Sequence, residues 1–145
     1  MALTGGCACG AVRYRLDAEP VDAGYCHCRL CQRSSGAPVM AFATVPLTAF
    51  VVTEGEPARR RSSGFGERWF CPSCGGQLAM RVDHQPETID LTLASLDAPE
   101  PWAPGYHIFS QSRIGWFDTA DDLPRHDRFR PDTRGLTPEN TAPTD

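Results

Sequence analysis

The stretch Tyr25-Cys26-His27-Cys28-Arg29-Leu30-Cys31-Gln32-Arg33 places three cysteines within six residues, as C-x-C-x-x-C. So short an arc turns three thiolates toward one point. Three sulfurs leave a tetrahedral ion one ligand short, and an open position is what a catalytic zinc keeps. The remaining cysteines form two pairs, Cys7-Ala8-Cys9 and Cys71-Pro72-Ser73-Cys74. Seven thiols cannot all pair as disulfides, and a C-x-C disulfide closes a strained ring. Seven divides as four plus three: a closed set of Cys7, Cys9, Cys71 and Cys74, and an open set of Cys26, Cys28 and Cys31. The alternative, Cys7 and Cys9 sharing an ion with the trio, crowds five sulfurs round one metal and strands two.

At 145 residues with 41% hydrophobic content, the chain suits one domain with a modest core. The formal charge of -4 gives no general pull toward nucleic acid. All fourteen cationic residues are Arg, which reads as compositional bias. No apolar run reaches membrane-spanning length. Met1-Ala2-Leu3-Thr4-Gly5-Gly6 lacks the basic region and apolar stretch of a secretory leader. The expectation is a cytoplasmic protein with reduced cysteines, where such spacings mean metal more often than disulfides.

Working outward, Ala11–Leu16 alternates apolar with charged residues, the period of a half-buried strand. Gly24–His27 is a short strand running into the cysteine arc, and Gln32–Gly36 is a turn or single helical turn ended by Gly36. Strands are expected over Pro38–Val45, Phe50–Thr53, Glu67–Phe70, Gln77–Val82 and Thr88–Leu93, with short late ones at Tyr106–Phe109 and Ile114–Phe117. Arg59-Arg60-Arg61 reads as a solvated edge. Trp69, Trp116 and Phe117 read as core, with Trp116 a further option as a pocket wall. Pro131 onward is polar and short of bulky apolar residues, a disordered tail over 131–145 behind a domain of 1–130. With no convincing helical stripe, the fold class is all-β with little helix. A Cys₄ zinc clipping residue 8's neighbourhood to residue 72's contributes about 10–16 kcal/mol. That matches or exceeds a whole domain's ~5–15 kcal/mol, so it is a folding requirement.

The ordered set Gly5-Gly6-Cys7-Ala8-Cys9-Gly10-Ala11-Val12-Arg13-Tyr14, Cys26-His27-Cys28-Arg29-Leu30-Cys31-Gln32-Arg33 and Arg68-Trp69-Phe70-Cys71-Pro72-Ser73-Cys74-Gly75 resembles the glutathione-dependent formaldehyde-activating enzymes, a family that includes centromere protein V. Ala94-Ser95-Leu96-Asp97, Pro104, His107-Ile108 and Trp116 extend the likeness. The resemblance implies a β-tent-like fold of stacked antiparallel sheets with zinc knuckles. It implies a structural zinc on Cys7, Cys9, Cys71 and Cys74 and a catalytic zinc on Cys26, Cys28 and Cys31; weaker retention at the open set than at the closed one is expected, so the second zinc can be partly occupied.

A zinc-bound thiol is deprotonated, and three protein thiolates make the site electron-rich. A fourth thiol such as glutathione could attack a small aldehyde such as formaldehyde there. The reading is a carbon–sulfur lyase-type enzyme, S-(hydroxymethyl)glutathione synthase-like. Arg29 and Arg33 could meet the thiol's carboxylates, and His107 could line the pocket. Against these stand solvated charge and a packing histidine. The trio could instead be a second structural zinc closed by His27 or His107. A Cys28–Cys31 redox pair and an iron–sulfur cluster on the outer cysteines fit less well. The competing function is a non-catalytic zinc-binding interaction module, or a metal or aldehyde-stress sensor. The sequence leaves the oligomeric state open.

Overall fold

Period-two alternation in the middle of the chain builds a sheet with two differently used faces. The computed structural model describes residues 3–130. Its strands are β1 (Leu3–Gly6), β2 (Arg13–Leu16), β3 (Asp22–Cys26), β4 (Met40–Pro46), β5 (Phe50–Glu54), β6 (Ala58–Arg61), β7 (Gly66–Phe70), β8 (Gln77–Val82), β9 (Thr88–Thr92) and β10 (His107–Ile108). The one α-helix among the described residues, α1 (Arg29–Ser35), joins β3 to β4. A three-stranded sheet runs β1-β2-β5, and a seven-stranded sheet runs β10-β3-β4-β9-β8-β7-β6. Pairing is antiparallel throughout, apart from β10 beside β3. The all-β expectation of stacked antiparallel sheets holds.

On one face of the large sheet, Ala43, Leu91, Ala79 and Trp69 sit opposite one another across β4, β9, β8 and β7. They form the main core with Tyr14, Leu16 and Phe50 of the small sheet. Tyr14 stacks on Phe50 at 4.6 Å, and Phe50 meets Trp69 edge-on at 5.9 Å. One residue along each strand, the side chains turn to the other face. There the transverse row reads Asp22, Thr44, Asp90, Met80 and Arg68 across β3, β4, β9, β8 and β7. This face is roofed by Tyr106, Ile108, Phe109 and Phe129.

The roof is held by backbone hydrogen bonds. His107 N–H donates to Pro124 O (2.8 Å), His126 N–H to His107 O (3.0 Å) and Phe109 N–H to Arg128 O (3.1 Å). Gly24 permits the close approach of Tyr106, since a Cβ there would lie 2.7 Å from the ring.

Several local expectations needed correction. Leu3–Gly6, which the sequence reading assigned to no element, forms an edge strand because it pairs with β2 from Leu3↔Leu16 to Gly6↔Arg13. The single turn after Cys31 is a seven-residue helix starting at Arg29, capped by Cys28 Sγ and ended by left-handed Gly36 (φ 71°). Ile114–Phe117 is not a strand. Arg113 Nη1 donates to the carbonyls of Ile114 (3.1 Å) and Phe117 (2.6 Å), curling the chain instead of leaving those groups for a neighbour. Trp116 is therefore 78% exposed, neither core nor pocket wall. The expected tail, 131–145, lies outside the described residues.

Candidate active site

Two clusters of sulfur form where the sheet ends meet. Cys7, Cys9, Cys71 and Cys74 gather with all Sγ atoms within 4.8 Å of one another, and Cys26, Cys28 and Cys31 do the same separately. All seven thiols are free of disulfides. In a zinc tetrahedron with ~2.3 Å bonds, sulfurs stand about 3.8 Å apart. Cys7 to Cys9 is 3.7 Å and Cys9 to Cys71 is 3.8 Å. Backbone amides point at these sulfurs: Val12 N to Cys7 (3.3 Å), Ser73 N to Cys71 (3.3 Å) and Gly76 N to Cys74 (3.4 Å). The Cys71–Cys74 turn closes through Gly75 N–H to Cys71 O at 2.8 Å, with Gly75 left-handed at φ 76°. Soft donors, tetrahedral edges and amides suited to thiolates all fit zinc.

The trio is built differently. Cys26 ends β3, and Cys28 caps α1 through Cys31 N–H to Cys28 Sγ at 3.2 Å. One thiol is thus both a candidate metal ligand and the helix cap. Cys31, in the first helical turn, faces back to Cys26 at 3.1 Å. All three are buried (4%, 7% and 1% exposed). They too fit a thiophilic ion, with Cys26 and Cys31 moving from 3.1 Å to about 3.8 Å apart to span a tetrahedral edge. Among the described residues no fourth His, Cys, Asp or Glu joins this cluster.

His27 and His107, the candidates for closing it, are committed elsewhere. His27 Nε2 lies 2.8 Å from His107 Nδ1, and His107 Nε2 lies 3.1 Å from Asp121 Oδ1. Hydrogen bonds from Thr119 and then His107 hold the Asp121 carboxyl well below its usual range. An ionised carboxylate only accepts. His107 therefore donates from Nε2, and its Nδ1 shares the remaining hydrogen bond with His27 Nε2. Burial, with the His107 ring next, lowers His27 to about 4, so the His27 ring is neutral. Both rings are fully buried and brace the β3–β10 junction, where His27 N–H also bonds Ile108 O at 3.1 Å.

A cavity of about 320 Å³ opens from the trio across the second face of the large sheet. His107, Arg29 and Arg33 do not line it. Arg29 donates to Gln32 Oε1. Arg33 is exposed in the last turn of α1, where a cation suits the helix dipole. The cation at the thiols is Arg68, whose Nη2 is 3.5 Å from Cys31 Sγ. Hydrogen bonds from Cys26 and Cys28, and behind them the Arg68 charge, hold the Cys31 thiol far below its ordinary value against burial. Sequence reasoning missed Arg68 as a site residue. Strand alternation carried the signal, because Trp69 facing the core puts Arg68 on the opposite face.

The class defined is a mostly β protein with two cysteine clusters that could hold metal ions, the second of them at a cavity. The chain belongs to the family described as glutathione-dependent formaldehyde-activating enzyme, whose model matches residues 2–112. A Halomonas elongata protein provisionally named a glutathione-dependent formaldehyde-activating enzyme is 26% identical over 127 residues, covering 81% of each chain. An uncharacterised lyase of Schizosaccharomyces pombe is 35% identical over 75 residues, spanning 51% of this chain and 53% of that one. The crystal structure of a Rhodobacter sphaeroides protein superposes with a TM-score of 0.56 at 28% identity, covering 66% of this chain and 88% of that chain.

Proposed function

We propose that this protein joins a thiol such as glutathione to an aldehyde, or cleaves the adduct, at the Cys26–Cys28–Cys31 site. The observation that carries the reading is an incomplete donor set at the inner end of a cavity. Family membership, with relatives named for glutathione, formaldehyde and lyase chemistry, supports the same reading. The outer cysteines hold a structural zinc. Zinc on the trio supplies a position where an incoming thiol is held deprotonated at neutral pH.

The chain's own residues do the rest. Arg68 offsets the negative charge of three thiolates. Leu30, Phe42, Ile108 and Phe109 keep water from the reacting carbon, which matters because aldehydes hydrate. The sulfur lone pair forms the S–C bond, the carbonyl π pair moves to oxygen, and that oxygen takes up the proton the thiol lost. Nothing is oxidised or reduced.

The test is metal content together with adduct formation from glutathione and an aldehyde, followed by exchange NMR. Wild type is expected to bind two zinc ions and to accelerate exchange. Cys28→Ser, which keeps a good helix cap, is expected to retain one zinc and lose the acceleration. A fully active Cys28→Ser would sink the reading.

A further inference from the structure

The cavity is far larger and more apolar than a one-carbon substrate requires. A water's share of liquid volume is ~30 Å³, and formaldehyde is little bigger, whereas the cavity measures about 320 Å³. Its walls are Leu30, Phe42, Met80, Ile108, Phe109 and Phe129, contiguous with the apolar cluster that encloses the three thiols. The cations that also line the cavity are engaged, Arg68 by Cys31 Sγ, Arg81 by Pro86 O and Arg130 by Asp22, so a tripeptide thiol laid along this apolar wall would bring carboxylates that displace existing pairs.

Two features show that the wall is built rather than left over. Phe109 is the only described non-glycine residue with positive φ, at 55°. A bulky residue held there is strained, and such strain clusters at functional sites. Phe129 packs on Phe109 at 4.9 Å and on Phe65 at 6.0 Å. It lies beyond residue 112, where the family match ends, so part of the wall is supplied outside the shared region.

The far end of the cavity is polar. Asp22 and Cys26 share one face of β3 four residues apart, which is about 13 Å of strand. At the level of Asp22 the row continues through Thr44 to Asp90. Asp22 is already engaged, by Arg130 at 2.6 Å and by the Tyr106 hydroxyl at 2.7 Å. Asp90 accepts from Thr44 Oγ1 at 2.6 Å and still lines the cavity. Surrounded by protein, its carboxyl is raised to about 6, by burial first.

We propose that the carbonyl substrate is an aldehyde with an apolar body whose remote end donates a hydrogen bond to Asp90. The aldehyde carbon lies at the trio, the body lies along Phe42, Phe109 and Phe129, and the donor end meets the floor. This deepens the thiol–aldehyde reading and rests on it.

The experiment compares three aldehydes with glutathione on the zinc-loaded full chain: formaldehyde, 4-ethylbenzaldehyde and the near-isosteric 4-(hydroxymethyl)benzaldehyde. Binding of the unreactive 4-(hydroxymethyl)benzamide is followed by calorimetry. Each buried methylene is worth about fourfold, so the aryl aldehydes should exceed formaldehyde in kcat/KM by roughly a hundredfold or more. The hydroxymethyl compound should exceed the ethyl one by about tenfold. Asp90→Leu should erase that second preference, with Asp90→Asn restoring part of it because the amide oxygen still accepts. Phe129→Ala should reduce the aryl-over-formaldehyde preference and weaken the amide, and it stands in should Asp90→Leu fail to melt cooperatively. Formaldehyde used as efficiently as the aryl aldehydes overturns the inference and leaves the thiol–aldehyde reading standing. So does an apolar thiol with formaldehyde outperforming glutathione with the aryl aldehydes. No acceleration with any aldehyde overturns the underlying reading and the inference with it.

Discussion

Replacing Arg68 with Met should strip zinc from the trio while sparing the closed site. Binding zinc releases the protons that remain on the three thiols and leaves the site with one net negative charge. A cation nearby favours that product. Arg68 Nη2 stands 3.5 Å from Cys31 Sγ. At an effective dielectric of 20 this is about 5 kcal/mol of gross attraction. Sharing the charge over three sulfurs, and water entering through the cavity, reduces it. Loss of a residue that supports a metal ligand typically costs ~10–100-fold in affinity, and that is the range expected here. The fold should tolerate the change, because Met fills similar space and Arg68 Nε has no hydrogen-bond partner to lose. Competition with a chromophoric zinc chelator resolves the two ions. Wild type and Arg68→Met should give the same tight step, and only the weaker step should move. Because binding expels protons, raising the pH should restore the variant's affinity. Unchanged affinity at both steps, or a shift in the tight step alone, would refute the electrostatic role assigned to Arg68.

Two further outcomes are expected. Cys71→Ser should abolish cooperative thermal melting, since a zinc held by the four outer cysteines would be worth about 10–16 kcal/mol against a domain's ~5–15 kcal/mol; a normal melt would show that the clip is dispensable. Asp90 has a folded value of about 6, above its ordinary 3.8, so the native state binds its proton more tightly than the unfolded chain. The sign follows: its contribution is fully favourable below the ordinary value and is lost as pH rises toward about 6, a change of about 3 kcal/mol. Asp90→Asn should therefore melt higher than wild type at pH 8 and lose that advantage at low pH, and equal melting curves at pH 8 would argue against a costly buried carboxylate.

The cysteine sets were legible because ligand spacing is a local property. Cys26, Cys28 and Cys31 converge through one strand end and one helical turn, and parity then assigns the rest. Strands such as Thr88–Thr92 were legible because alternation records which face is buried. The cavity was not. Its cation comes from β7, thirty-seven residues from Cys31, and its roof from residues 106–129. Sequence proximity favoured Arg29 and Arg33, but a helix of seven residues turns those side chains to Gln32 and to solvent. His107 was legible as special but not in its role, since the His27–His107–Asp121 chain depends on a parallel pairing of only two residues.

The two sulfur clusters ask opposite things of the polypeptide, and the topology satisfies both. A closed site gains most by joining distant segments, and it links the β1–β2 turn to the β7–β8 turn, tying the small sheet to the large one. An open site must keep one side free of protein while its ligands stay rigid. Placing all three ligands within six residues does this, because no second segment has to cross the opening to supply a donor. The free side is then available to the row Asp22, Thr44, Asp90, Met80 and Arg68. Those positions point away from the main core and are not required to be apolar. Arg68 apart, which serves the trio, the side chains of that row can therefore vary without disturbing either cysteine cluster. On the proposed reaction, that separation makes Asp90 in the row, with Phe129 in the roof above it, rather than the cysteines, the places where the choice of aldehyde would be written.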